Sequence, residues 1–193
     1  IRLRAMWALH VTGGWTPTAL GDALRDRDEY IRAWAVQLLS ENRAPSPDVL
    51  TQFARMAKND RSPVVRLYLA SALQRLDASI RWPIAAELLR HEDDAADPNL
   101  PTMVWLAIEP MVSADPGVAL NHASRSRVPQ IARFIARRAV DAGALEPLVA
   151  ALGRDPKTIT QLLEGMRDGL EGRFDLAAPP NWTPVFDRLK RSD

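Results

Sequence analysis

Cysteine is absent from the chain. That excludes a disulfide framework, a thiolate zinc centre and a covalently attached c-type haem, each of which needs sulfur. A surplus of either charge is missing as well: 25 basic and 24 acidic side chains leave a formal +1. No overall field therefore draws the chain onto nucleic acid or an anionic membrane. No stretch approaches the ~18 uninterrupted apolar residues that read as a membrane-spanning helix, and no charged-then-apolar signal segment opens the sequence. The only histidines are His10, His91 and His122, too far apart for the His-x-x-x-His pair that holds zinc on one helix face. Gly-x-Gly-x-x-Gly, Gly-x-x-x-x-Gly-Lys-Ser/Thr and Gly-x-Ser-x-Gly are all missing, so neither a phosphate-cradling loop nor a nucleophile elbow is encoded. Strand-type alternation and Asn-Gly hairpins do not occur either. What remains is a 193-residue chain, 47% apolar, ample for the interior of one large domain.

The dominant feature present is an internal repeat. Asp26-Arg27-Asp28-Glu29-Tyr30-Ile31-Arg32 and Asp60-Arg61-Ser62-Pro63-Val64-Val65-Arg66 each open with Asp-Arg and reach a β-branched residue followed by arginine, 34 positions apart. Downstream of the first, Ile31, Trp34, Ala35, Leu38 and Leu39 fall at the offsets of one stripe of a 3.6-residue helix. Val65, Tyr68, Leu69, Ala72 and Leu73 repeat those offsets. A shorter apolar helix is predicted before each, over Pro17 to Leu24 and Pro47 to Ala57, so one repeat is a helical hairpin. Ser79 to Arg90 with Leu100 to Val112, Pro116 to Ala123 with Pro129 to Ala142, and Ala144 to Leu152 with Pro156 to Leu170 continue the series. Leu3 to Leu9 reads as a second helix without its first, and Thr183 to Lys190 as a first helix awaiting its partner.

Punctuation agrees with these spans. Proline opens predicted helices at Pro17, Pro47, Pro63, Pro116, Pro129, Pro147, Pro156 and Pro184, where its fixed φ fits and its missing N–H costs nothing. Gly13-Gly14 and Gly143 follow predicted helix ends, where a left-handed residue is cheapest. Gly165 and Gly169 stand four apart, a spacing that lets two helices approach closely.

The recurring Asp, then β-branched-residue-Arg, then Ala/Leu pattern resembles the HEAT-repeat family. The resemblance implies an all-α fold, an α-solenoid of about five HEAT-like helical hairpins truncated at both ends, forming a single domain over 1–193. In that family the turn Asp and the second-helix Arg often pair between or within repeats in a ladder, and the resemblance implies that Asp28 or Asp26 with Arg32, and Asp60 with Arg66, take those places. A narrower resemblance runs from Leu3 to about Leu148, through Ala5-Met6-Trp7-Ala8-Leu9-His10, the segment Val65 to Leu76 and the segment His91 to Pro110. It is similar to the HEAT segment of planctomycete-type membrane-bound dehydrogenases, large secreted proteins in which a β-propeller precedes the solenoid and a cytochrome c domain follows it. That likeness implies a fragment of a longer exported or periplasmic bacterial redox protein, serving as the spacer or docking piece. The opening without methionine and the abrupt end at Asp193 also read as those of an excised fragment.

Several residues carry candidate chemistry. His91, Glu92, Asp93, Asp94 and Asp97 put an imidazole and four carboxylates in seven positions, enough oxygen donors to interest Ca²⁺. The order is not that of an EF-hand loop, and an acidic solvated loop supporting the following helix by its dipole accounts for it better. Trp105 and Glu109 share a helix face, so a Glu buried beside the indole would have the raised pKa of a general acid. The structural alternative is a Glu accepting from a neighbouring repeat or an Arg, near a carbonyl freed by Pro110. His10 lies at the i+7 place relative to Leu3 and is expected to be a satisfied core histidine. Arg133, Arg137 and Arg138, preceded by Arg125 and Arg127, concentrate positive charge. By resemblance to HEAT arrays they face a bound phosphate, haem propionate or acidic partner, or else an exposed helix face with Asp141 or Glu146 as partners. Trp7, Trp34 and Trp105 fall inside predicted second helices, where indoles fill space between repeats.

The functional expectation is a non-enzymatic scaffold or docking solenoid with no cofactor, whose partner is another protein or the flanking domains of its own chain. The alternative is a HEAT-like nucleic-acid-binding or DNA-repair module that uses its concave face. Such a module needs a more basic surface than this composition supplies. A bilin-lyase-like modifier would need a pigment or thioester site that nothing here provides.

Overall fold

The computed structural model describes residues 1–191 and contains 12 α-helices among them, with no strand. In chain order they are α1 (Arg2–Val11), α2 (Pro17–Ala23), α3 (Glu29–Leu39), α4 (Pro47–Asn59), α5 (Pro63–Leu73), α6 (Trp82–Leu88), α7 (Leu100–Ala114), α8 (Pro116–Ala123), α9 (Pro129–Asp141), α10 (Leu145–Leu152), α11 (Ile159–Leu170) and α12 (Trp182–Leu189). Short 3₁₀ turns stand at Ala78–Ile80, Glu92–Ala96 and Pro156–Thr158. Ser192 and Asp193, which end the expected 1–193 span, lie outside the described residues.

Local chemistry sets most of these boundaries. Thr16, Asp28, Ser46, Ser62 and Asp115 each accept a hydrogen bond from a backbone N–H two or three residues on, satisfying donors that a helix start leaves orphaned. Proline occupies the first turn of α2, α4, α5, α8 and α9. Gly13 and Gly143, just past α1 and α9, adopt φ of 70° and 73°, conformations that a Cβ would oppose. The helix expected over Ser79 to Arg90 is interrupted instead. Pro83 has no N–H to offer the Ser79 carbonyl, so a 3₁₀ turn ends at Ile80 and α6 starts afresh at Trp82.

The helices pack into two compact units, Ile1–Leu88 with Pro98–Ala107, and Leu89–Asp97 with Ile108–Asp193. In the first, α3 lies against α1, α2 and α5, and α4 against α5 and α6. Three neighbours demand more than one buried stripe. Accordingly Ala33 and Val36 of α3 are fully covered beside Ile31, Ala35 and Leu38, while Trp34 and Leu39 of the expected stripe are half-buried. Small residues at the contacts let the axes come close. The core is completed by Phe53, Leu69, Leu73 and Ile84.

In the second unit, α9 packs against α8, α10 and α11, and α10 against α8 and α12. Ile131, Ile135, Leu148, Leu152 and Leu162 make its centre. The α9–α11 contact depends on two glycines: a Cβ at Gly165 would sit 2.1 Å from the Arg133 carbonyl oxygen, and one at Gly169 would sit 2.7 Å from Val140 Cβ. The close approach read from their four-residue spacing is thus present.

Pro110 lies inside α7. In the turn before it, the Ala107 carbonyl accepts from Arg81 Nη1 at 2.6 Å, and Arg81 Nε also reaches the Leu76 carbonyl at 2.9 Å. A guanidinium thus serves helix backbone near the point where proline removes an intrahelical donor.

Candidate functional site

The second helices of the first unit carry a connected row of side chains. Arg32, on the first turn of α3, makes a two-pronged bond to Asp60, Nε to Oδ2 at 2.7 Å and Nη2 to Oδ1 at 2.8 Å. Its Nη1 donates to the carbonyls of Asp26 and Arg27 at 2.9 and 3.2 Å. The planar fork is thereby used on both sides, a geometry lysine would not reproduce. The Asp60 bond is the main influence that lifts the Arg32 pKa above its ordinary value.

Arg32 thus pairs between repeats, with the Asp of the next turn and not with the carboxylate of Asp28 or Asp26. Asp28 caps α3 through the N–H groups of Tyr30 and Ile31, and Arg32 reaches forward to the carboxylate of the next turn. Arg66 donates to the Asp60 backbone carbonyl at 2.8 Å, while the Asp60 carboxylate belongs to Arg32. The geometric reason is that an Asp at a helix N-terminus turns back to its own orphan donors, whereas the long Arg stem spans to the neighbouring hairpin. Arg2 pairs with Asp26 in the same forward sense. The Asp26 carboxyl is lowered, first by accepting from the Asp28 N–H, with burial opposing and Arg2 adding to the effect.

Beside the ladder lie aromatic rings. Trp7 meets Trp34 edge-on with centroids 4.8 Å apart, and Trp34 meets Tyr68 at 6.1 Å, so one ring from each of α1, α3 and α5 joins the row. Trp7 is 38% exposed, and Tyr30, one turn before Trp34 on α3, is 53% exposed. His10, expected in the core, is only half-buried; its Nε2 lies 2.7 Å from Glu41 Oε2. α1 has one flanking second helix in its unit, so its i+7 position is not enclosed.

The remaining candidates separate. The carboxylates of the acidic run do not converge: Asp94 is buried, Glu92 and Asp93 are exposed, and among the described residues no three His, Asp or Glu groups form a metal-sized cluster. The 3₁₀ turn over Glu92–Ala96 splays adjacent side chains around its axis. Trp105 is half-buried. Glu109 is held by Arg138, Nε to Oε1 at 2.6 Å, an ion pair where the general-acid alternative needs a carboxyl alone against the indole. Arg133 pairs with Asp168 at 2.6 Å and approaches Glu164 at 3.8 Å, while Arg137 is exposed. Arg133 and Arg137, four apart, share a helix face, where Arg133 is drawn to Asp168 and Arg137 stays exposed, while Arg138, one residue on, turns to Glu109. Asp141, one partner expected for them, binds Arg173 at 2.7 Å. The Arg133 bond is the first cause of a lowered Asp168 pKa, and Arg167 adds to it.

Sequence reading missed one feature, a cavity of about 510 Å³ in the second unit, lined by Arg125, Arg127 and Lys157 together with Glu92, Ser126, Pro129, Ala132, Asp155, Thr158 and Gln161. Arg125 and Arg127 stood out as neighbouring charges. Lys157 lies 30 positions beyond Arg127, and only the return of the chain through α10 brings it alongside.

No protein-family model, curated protein or solved structure matches this chain. Neither the HEAT reading nor the narrower dehydrogenase likeness gains support from relatives, so function is argued from the chain's own chemistry.

Proposed function

We propose that this chain is a HEAT-type helical solenoid acting as a non-catalytic docking surface, with the face of its second helices as the contact surface for a protein partner or a flanking domain. The observation that carries the reading is the connected row on α1, α3 and α5: Trp7 and Tyr68 each in ring contact with Trp34, alongside the Arg2–Asp26 and Arg32–Asp60 pairs. Each link joins a hairpin to the next one in sequence, which is how stacked repeats hold together. Partly exposed rings on a rigid support are the residue type that anchors protein interfaces. Arg2 and Arg32 of that row are each bound to a carboxylate, so the row itself offers no free guanidinium to a phosphate backbone and does not favour the nucleic-acid reading.

Selection of a random peptide library displayed on phage against the intact chain tests this. Enriched peptides are expected to compete with one another and to lose binding to Tyr30→Ala, whose thermal melt should be unchanged, and to Trp7→Ala assayed well below its own melting temperature. Peptides that bind both variants as well as the parent chain would place any docking surface elsewhere. Shifts of a labelled DNA duplex at low salt, lost as salt rises, would transfer the function to nucleic acid.

A further inference from the structure

We propose that the cavity between the α8–α9 turn and the α10–α11 turn is a binding site for the phosphate group of a phosphate monoester. Its cations come from two successive turns, Arg125 and Arg127 from one and Lys157 from the other, and together they line one half-open pocket. Elsewhere Arg2, Arg32, Arg133, Arg138 and Arg173 each have a carboxylate partner. Arg125, Arg127 and Lys157 have none among the described residues, although two acids stand close by. Asp155 is occupied as a cap, its Oδ1 accepting from the Lys157 backbone N–H at 2.9 Å, and Glu92 lies in the exposed part of the lining.

Three exposed cations without an ion-pair partner, set against the two carboxylates of the same lining, suit a dianion that can bridge both turns better than a single carboxylate. Guanidinium forks match the spacing of phosphate oxygens, and the lysine ammonium adds a mobile point charge. Pro129, the first residue of the 13-residue α9, also lines the cavity, so the positive end of that helix adds to the field. The volume of about 510 Å³ exceeds what one phosphate ion fills and leaves room for the group that carries it. This inference rests on the second unit alone and stands apart from the docking proposal. A free phosphate ester and a phosphorylated side chain present the same headgroup.

The test is an amide-resolved NMR titration of the intact chain with inorganic phosphate, with a phosphoserine peptide and with its unphosphorylated counterpart. Saturable shifts confined to residues 92, 124–130 and 153–161 are expected with the first two and none with the third. An Arg125→Gln/Arg127→Gln double variant and a Lys157→Met variant should each weaken binding at least ten-fold, whereas Arg137→Gln, on an exposed arginine of α9, leaves it unchanged. Tighter binding of the phosphopeptide than of inorganic phosphate assigns the site to a phosphorylated partner, and equal binding assigns it to a small phosphate. Shifts that never saturate, or that survive in both cavity variants, overturn the proposal.

Discussion

Truncating Arg32 to alanine would leave the Asp60 carboxylate, 7% exposed in its side chain, without the cation that bonds both of its oxygens. Uncompensated buried charge costs far more than the net value of the pair, so Arg32→Ala should lower unfolding free energy by roughly 3 kcal/mol in urea titration. Replacing both members, Arg32→Met with Asp60→Leu, should recover most of that loss, because neither charge then needs solvation. The Asp168 carboxyl supplies a pH-dependent counterpart. Its pKa is lowered in the folded chain, chiefly by Arg133. Its stabilising contribution is therefore whole above the ordinary aspartate value of about 3.9 and disappears as pH falls through the lower folded value. Asp168→Asn should thus be less stable than the parent at neutral pH, and the difference should shrink as pH falls below the ordinary aspartate value and vanish below the lower folded one. At this scale the sequence was informative about which residue types matter and poor about their partners. Arg32 and Asp60 were both singled out, but the Asp26-x-Asp28 spacing offered a nearer carboxylate, and nothing local says that capping would claim Asp28.

For whole helices, the punctuation written in the sequence was the dependable guide. Proline in the first turn with Ser, Thr or Asp just before it placed the starts of α2, α4, α5 and α8, since those interactions are complete within a few residues. Where proline fell later, as at Pro83, the expected single helix broke in two. The α9–α11 contact gives this scale its prediction. Alanine in place of glycine inside a helix ordinarily adds up to about 1 kcal/mol of stability, and Gly21→Ala in α2, where a Cβ meets nothing within 4 Å, should follow that rule. Gly165→Ala should do the reverse, because its Cβ would lie 2.1 Å from the Arg133 carbonyl oxygen and the helices must separate. Denaturant midpoints should fall by an amount corresponding to roughly 1–3 kcal/mol. The opposite signs at two helical glycines would identify axis separation, rather than helix propensity, as the controlling term.

Within each compact unit, contacts between residues about thirty apart tie hairpins together: Arg32 to Asp60 and Trp34 to Tyr68 in the first, Arg133 to Asp168 and Arg173 to Asp141 in the second. The repeat period made the existence of such contacts legible, because a short hairpin cannot bury its apolar residues alone. The phosphate cavity was not legible, since its charges are unremarkable until two turns are brought level. The proposed stacking is most directly tested by spin-label distances in the first unit, where the absence of native cysteine makes labelling at Ala8→Cys in α1 and Gln74→Cys at the end of α5 specific. With α3 seated between α1 and α5 and helices spaced 8–10 Å apart, the pair should report a separation of roughly 20 Å. A strongly coupled pair at about 10 Å, the spacing of helices in direct contact, would mean that these hairpins share one centre and do not stack in sequence order.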